Sequence, residues 1–157
     1  MRLLLAAVLS LTVAVPVSAA PGPVLQQCAR CGDGDSWKDT SGREYRLGLV
    51  NAPETDECFG TQATARRRAL LADGFRADVY QRDVHGRGVA VVLTRSGRNV
   101  NRVLAQEGMV DDRYLRRFRG ENPALARQLD GDVAAAKRAR RGLWGACCQR
   151  AQGRLEG

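Results

Sequence analysis

Regular alternation of apolar and polar residues predicts short β-strands in this chain. In residues 43–50, Tyr45, Leu47 and Leu49 share one face, whereas the opposite face begins with Arg46. This strand is expected to run up to a break at Pro53, because proline has no N–H to donate to a sheet. The same reasoning predicts further strands at residues 24–30, 74–80 and 89–94.

Apolar residues three or four positions apart predict about three helices between and after the strands. The first covers residues 60–71, with Ala63, Leu70 and Leu71 facing inward. The arginines of that helix are expected to point mostly outward, and they are Arg66, Arg67 and Arg68. The second helix is short, begins after the N-cap residue Asn99 and ends at Gly108.

The last predicted helix begins with Asn122 as its cap and Pro123 at its first position. Its apolar face consists of Leu125, Leu129, Val133 and Ala136, Gly142 is expected to terminate it, and Trp144 is expected to fold back onto the domain. Together these elements predict a mainly β chain with helices, of the α+β class. A small closed antiparallel barrel of five strands, compatible with the OB type, accommodates them.

The N-terminal residues have the features of a secretory signal peptide covering residues 1–19. A positive start at Arg2 precedes an uncharged apolar run, and Val17 and Ala19 are small enough for the −3 and −1 positions of the cleavage site. The run is too short to favour a membrane span. We therefore expect a secreted, extracellular monomer that has no membrane association after cleavage, with one domain at residues 24–148 and a polar tail at residues 149–157.

The chain carries 25 Lys and Arg against 17 Asp and Glu, for a formal net charge of +8. Only Lys38 and Lys137 are lysines, and the other cationic side chains are arginines. The planar guanidinium group of arginine is well suited to binding a phosphate through two parallel hydrogen bonds. A basic exported domain suggests a polyanionic partner, such as nucleic acid, an anionic glycan or a membrane surface, although net charge also promotes solubility. The basic runs at residues 65–68 and 137–141 are either solvated helix faces or non-specific attractors of a phosphate backbone.

The chain contains five cysteines, which are Cys28, Cys31, Cys58, Cys147 and Cys148. In an exported protein disulfides are the default, and bridges between the N-terminal and C-terminal segments are expected. The odd count leaves at least one thiol free or intermolecular. Zinc is the alternative for Cys28-x-x-Cys31, but the adjacent pair near the C-terminus does not repeat that spacing. The sequence leaves the connectivity open.

Several oxygen-bearing and guanidinium side chains could carry chemistry. Asp35, Arg46, Asn51, Glu54 and Arg87 each have an ordinary interpretation as turn or surface residues. Together they supply what phosphodiester hydrolysis needs: hard oxygen ligands for a cation, donors for the phosphate charge, and an acid that takes a proton from water. The chain has a single histidine, so it is poorly supplied for a two-histidine metal site.

The ordered segments "DGDS", "YRLGLVNAPE", "CFGTQA", "DVHGRGVA", "VNRVLAQEGM" and "GLW" resemble the staphylococcal nuclease (thermonuclease) family over residues 24–145. The resemblance implies an OB-type barrel with helices at its side. It also implies an endo- or exonuclease that uses one calcium ion (Ca²⁺) per domain to hydrolyse DNA, RNA or both with little sequence specificity.

By this resemblance Asp35 corresponds to a metal-binding aspartate, and Arg46 and Arg87 correspond to the arginines that bind the phosphate. Glu54 corresponds to the proposed general base, which also approaches the metal through water. Tyr114 falls where the family often has a tyrosine that lines the nucleotide pocket.

Three positions depart from the family pattern. Asn51 stands where a second metal-binding aspartate is usual, so one negative charge is lost and weaker calcium binding is expected. Ala52 replaces a residue that binds the metal through its backbone carbonyl, a contact that alanine can retain. His85 replaces a tyrosine; it could stack on a base or contact a phosphate, or it could be an ordinary solvated turn residue.

The sequence therefore predicts a secreted metal-dependent nuclease, with two alternatives. One is a non-catalytic OB-type domain that binds nucleic acid and has lost cleavage through Asn51. The other is a disulfide-stapled interaction protein with no role in nucleic-acid binding.

Overall fold

The computed structural model describes residues 25–30 and 32–152, with side chains up to residue 147. The predicted signal peptide, Cys31 and the last residues of the predicted tail lie outside the described part. Within it, the chain forms one five-stranded sheet with helices packed around it. The strands are β1 (Cys28–Arg30), β2 (Ser36–Asp39), β3 (Glu44–Leu47), β4 (Phe75–Arg82) and β5 (Gly88–Thr94).

The sheet has the order β1-β2-β3-β5-β4 and is mixed, because β3 and β5 are parallel and all other neighbours are antiparallel. The prediction of a closed antiparallel barrel is therefore wrong in this detail. Between β3 and β5 the chain passes through a helix and β4, and this long connection allows parallel pairing. One isolated bridge between Gln26 and Phe75 joins the two outer parts of the otherwise open sheet. The α+β class and the OB-type architecture are confirmed.

Two strands differ from the pattern that predicted them. β2 was not predicted, because Asp and Gly just before it indicate a turn and the strand itself is only four residues long. β3 ends at Leu47 rather than continuing toward Pro53. The chain turns at Leu49, whose φ of 60° lies in the left-handed region that ends a strand.

The helices are α1 (Gly60–Leu71), α2 (Val100–Gln106), α3 (Arg113–Phe118), α4 (Pro123–Arg138) and α5 (Leu143–Gln152). The three predicted helices are present, and Asn99 and Asn122 cap α2 and α4 by accepting backbone N–H groups. α3 and α5 were not predicted. α4 ends before Gly142, which instead separates it from α5, and α5 extends into the predicted tail. No helix of the described chain is long and apolar enough to cross a bilayer.

The core lies between the inner face of the sheet and helices α1, α2 and α4. Trp37, Tyr45 and Phe75 form an aromatic cluster with ring centroids 5.4 to 5.7 Å apart. Trp144 packs against this core, as predicted, and the Lys137 Nζ lies 4.5 Å from the centroid of its ring.

Arg67 is fully buried, which corrects the prediction that it points outward. Its Nε and Nη2 donate to the Asp33 carbonyl at 3.1 and 2.8 Å, and its guanidinium lies 5.4 Å from the Trp37 ring centroid. Burial lowers the pKa of Arg67 to about 10. The helical periodicity predicted that Arg67 lies on the polar face of α1. Instead, its side chain reaches the turn that precedes Asp35 and holds that turn against α1.

A disulfide joins Cys58 to Cys147 and so links the loop before α1 to α5. Cys28 is also disulfide-bonded. The two cysteines of the first bridge are 89 positions apart in sequence. Closing a loop of that length contributes roughly 4 kcal/mol in the chain-entropy account.

Candidate active site

The centre of the candidate site is a buried ion pair between Asp35 and Arg46. The Arg46 Nη1 donates to the Asp35 Oδ1 at 2.8 Å, and Nη2 donates to Oδ2 at 3.0 Å. The backbone N–H of Ala52 also donates to Oδ2 at 2.9 Å. Asp35 immediately precedes β2, in which Ser36 is paired with Arg46 of β3, so the sheet register places the two side chains together.

Asp35 and Arg46 are only 3% and 9% exposed. Burial raises the pKa of Asp35 from 3.8 to about 6, although Arg46 and the Ala52 N–H act to lower it. A charged carboxylate in this position therefore depends on the positive groups around it.

Asn51 extends this arrangement by bridging Arg46 and Asp111. Its Oδ1 accepts from the Arg46 Nη2 at 3.2 Å, and its Nδ2 donates to the Asp111 Oδ2 at 3.0 Å. The two oxygens of Asp35 and the amide oxygen of Asn51 thus converge on one cationic group. Sequence reasoning missed Asp111, because it lies 60 positions from its partner.

These oxygens fit a hard cation. The Asp35 Oδ1 and the Asn51 Oδ1 each accept one hydrogen bond from Arg46, so each retains a free lone pair. Carboxylate, amide and backbone carbonyl oxygens are the ligands that calcium prefers. No group of three or more His, Cys, Asp or Glu side chains in the described chain could hold a metal ion. A cation here would therefore rely on neutral oxygens and water as well as on Asp35.

A cavity of about 350 Å³ opens beside the ion pair. It is lined by Arg46, Leu47, Leu49, Gln81, Arg82, Asp83, Val84, His85, Arg87, Val89, Tyr114, Phe118 and Glu121. Both predicted phosphate-binding arginines and both predicted substrate-binding residues line this one space. The structure therefore brings together the strand arginine, the turn between β4 and β5, and α3.

Arg87 enters the cavity from the turn between β4 and β5. Its Nε donates to the Asp83 Oδ2 at 2.7 Å, and the Asp83 Oδ1 accepts the backbone N–H groups of His85 and Arg87, both at 3.0 Å. Burial acts to raise the pKa of Asp83, but the hydrogen bonds from Arg87 and His85 outweigh it and lower that pKa. Asp83 is a positioning residue that sequence reasoning read only as part of the turn.

Tyr114 and Phe118 form an aromatic wall on α3, with ring centroids 5.3 Å apart. The Arg46 Cζ lies 4.5 Å from the centroid of the Tyr114 ring, which is close enough for a cation–π interaction. Tyr114 is 36% exposed, so part of the ring remains accessible to a ligand. His85 is exposed at the tip of the opposite turn.

Glu54 does not line the cavity. It is exposed, and its backbone N–H donates to the Glu57 Oε2 at 2.9 Å. It lies two residues beyond Ala52, whose N–H holds Asp35, and four residues before the disulfide-bonded Cys58. The loop is thus anchored on both sides of Glu54, while the catalytic role of this carboxylate stays a prediction.

A family model described as "Staphylococcal nuclease homologue" matches residues 44–146 of this chain. The match covers more than half of the chain, and the chain belongs to this family. The chain is also 30% identical over 104 residues to "Endonuclease YhcR" of Bacillus subtilis (strain 168). The match covers 64% of this chain but only 8% of that protein, so the chain spans a small part of the length of this relative. The family match begins at β3, so Asp35 precedes it.

Proposed function

We propose that this chain is a secreted, calcium-dependent nuclease that hydrolyses phosphodiester bonds of DNA, RNA or both with little sequence specificity. The observation that carries the proposal is the convergence of Arg46 and Arg87 on one cavity beside the oxygens of Asp35 and Asn51. Membership of the staphylococcal nuclease homologue family supports a nuclease activity.

Arg46 retains donors for a phosphate. A guanidinium has five N–H groups, and Arg46 uses two for Asp35 and one for Asn51. Two remain, one of them on Nε, and they can form charge-assisted hydrogen bonds to phosphate oxygens. Asp35 and Asn51 therefore orient the guanidinium group without using all of its N–H donors.

Arg87 offers a second set of donors on the other side of the cavity. Asp83 binds its Nε, which leaves the amino nitrogens Nη1 and Nη2 for the substrate. Two oriented guanidinium groups would stabilise the negative charge that spreads over the phosphate oxygens in the transition state. Arg87 also lines a neighbouring cavity of about 250 Å³. This second cavity could accommodate the nucleotides that follow the phosphate along a bound nucleic-acid strand.

The remaining contacts explain the proposed tolerance of sequence. The faces of Tyr114 and His85 can stack on any base, because every base has a π-face. The two arginines would bind the backbone, which carries no sequence information.

Bound calcium would be held by Asp35, Asn51 and the Ala52 carbonyl, where it would supply positive charge near the phosphate and favour deprotonation of water. Glu54 is the group we assign to accept the proton from the attacking water. Its exposed loop would have to turn its carboxylate toward the cavity when substrate binds.

Secretion is part of the proposal. It rests on the N-terminal features of residues 1–19 and on the disulfide between Cys58 and Cys147, which is typical of an oxidising compartment. Mass spectrometry of the protein from culture medium should give a mature chain that begins at Ala20. Full-length protein found only inside the cell would contradict secretion.

The function is tested by incubating the purified mature chain with DNA and with RNA, in calcium or in a chelator. A digestion gel and a mobility-shift gel are run for each mixture. Calcium-dependent fragments are expected, and their absence together with an absent shift would contradict any nucleic-acid function.

The non-catalytic binding domain remains the second candidate, because Glu54 lies outside the cavity lining and Asn51 lacks the charge of an aspartate. A shift without fragments under all conditions would favour it.

A further inference from the structure

We infer that Asp111 is a positioning residue for the candidate metal site. Its carboxylate holds the Asn51 amide with the oxygen turned toward Asp35 and Arg46, so that a neutral amide can serve where the family has an aspartate. The inference rests on the proposed calcium dependence and identifies how this chain tolerates Asn51.

Asp111 is tied to Asn51 through both main chain and side chain. The Asp111 backbone N–H donates to the Asn51 carbonyl at 2.7 Å, and the two residues form an isolated antiparallel bridge. Beside this bridge, the Asn51 Nδ2 donates to the Asp111 Oδ2 at 3.0 Å. The backbone contact fixes the distance at which the side chains meet.

The chemistry of the pair sets the direction of the amide. An ionised carboxylate only accepts hydrogen bonds, so the Asn51 NH₂ must face Asp111 and the Asn51 oxygen must face away. That oxygen then accepts from the Arg46 Nη2 and lies beside Asp35. Rotating the amide by half a turn would place two N–H donors against the cation position, which repels a metal ion. Residues that orient metal ligands in this way commonly change metal affinity by about 10- to 100-fold.

Arg113 holds the Asp111 carboxylate in place and offsets part of its negative charge. The Arg113 Nε and Nη2 both lie 2.7 Å from the Asp111 Oδ2, and its backbone N–H donates to Oδ1 at 2.9 Å. The guanidinium offsets much of the carboxylate charge. Asp111 therefore acts mainly by orienting Asn51 rather than by adding negative charge near the ion.

The neighbouring Asp112 provides a matched control. It binds Arg116 and Lys137 rather than Asn51, so Asp112→Asn removes an equal charge without touching the amide. Calcium chloride is titrated into the chelator-treated full mature chain and the heat of binding is measured. Asp111→Asn should weaken binding roughly tenfold or more. Asp112→Asn should change it less than about twofold, because Arg116 and Lys137 already offset the Asp112 charge and the remainder is screened by salt.

The effect should nearly disappear when residue 51 is an aspartate. In Asn51→Asp both terminal side-chain atoms are oxygens, so no partner is needed to turn an oxygen toward the cation. Asp111→Asn should then change calcium binding far less than it does beside Asn51. A purely structural role of Asp111 would weaken binding equally in both backgrounds.

A readout without metal completes the test. The side-chain NH₂ signals of Asn51, identified by their loss in Asn51→Asp, should shift in Asp111→Asn and stay in place in Asp112→Asn.

If the unaltered protein binds calcium but the two Asp→Asn variants behave alike, this inference is wrong and the proposed function stands. If the unaltered protein neither binds calcium nor digests nucleic acid, both are wrong.

Discussion

The centre of the sheet and the turn between β4 and β5 present an arginine to the same cavity, but they hold it differently. The Arg46 side chain is 11% exposed, and it uses three of its N–H groups on Asp35 and Asn51. The Arg87 side chain is 24% exposed and uses its Nε on Asp83, its partner within the same turn.

This difference separates a side chain on which the fold depends from one that is held mainly for its ligand. Removing one partner of a buried ion pair leaves an uncompensated charge and costs about 3–5 kcal/mol of stability. A partly exposed pair contributes about 0–1 kcal/mol. Both arginines should therefore matter for activity, whereas Arg46 alone should matter for stability.

The largest effect on activity is expected from Glu54. Like Arg87, and unlike Arg46, Glu54 is accessible to solvent, so its substitution should affect activity without affecting stability. Glu54→Gln keeps the shape but removes the proton acceptor, so calcium-dependent digestion should fall by about 10²- to 10⁴-fold. The melting temperature should not change, because the side chain is exposed. Asp56→Asn, an exposed acid in the same loop, is the control. A rate for Glu54→Gln within about twofold of the unaltered protein would rule out the general-base role.

Substituting each arginine by lysine tests the comparison directly. Arg46→Lys and Arg87→Lys should each lower kcat/KM by about 10²- to 10³-fold, because an ammonium cannot reproduce the planar fork. Only Arg46→Lys should also lower the free energy of unfolding, by roughly 2 kcal/mol, since an ammonium keeps the charge but loses hydrogen bonds to Asp35 and Asn51. Urea unfolding measures the second quantity. Equal stability losses in the two variants would contradict the distinction between them.

The pH dependence of the free energy of unfolding should report on Asp35, the carboxylate of the buried ion pair with Arg46. The pKa of Asp35 is about 6 in the folded protein against an ordinary value of 3.8, so the folded state binds the proton more tightly. The free energy of unfolding should therefore fall by roughly 2 kcal/mol as pH rises from 4 to 7 without metal. Asp35→Asn should lack this slope. Urea unfolding with chelator present checks it, and a slope that persists in the variant would exclude Asp35 as its source.

The smallest effect is expected at the aromatic wall. Tyr114→Leu removes the ring that faces Arg46 and should raise KM roughly fivefold, which corresponds to about 1 kcal/mol of stacking. Tyr114→Phe keeps the ring and should leave KM close to that of the unaltered protein. Similar KM values for all three proteins would show that substrate does not stack here.

The helices with a clear apolar period and an asparagine cap were predictable, as α2 and α4 show through Asn99 and Asn122. β4 and β5 were predictable from their alternation. β2 and α3 were not, because a four-residue strand after turn residues and a six-residue helix rich in arginine lack a period long enough to detect.

The residues that face the cavity were identified by family resemblance, and Arg46, Arg87, His85 and Tyr114 indeed lie together. The residues that hold them in place were not. Arg67 reads as a surface arginine of α1 but binds the turn before Asp35, and Asp111 contacts Asn51 across 60 positions. Such contacts depend on the tertiary fold, and no local pattern records them.

The central claim is that Arg46 and Arg87 act on the same phosphate. Its most direct test is kcat/KM for cleavage of a short oligonucleotide by the variant that carries both arginine-to-lysine changes. Residues that act as a unit are strongly non-additive, so the double variant should lose far less than the product of the two single losses. A loss equal to that product would mean that the two arginines act independently, and it would contradict the shared site.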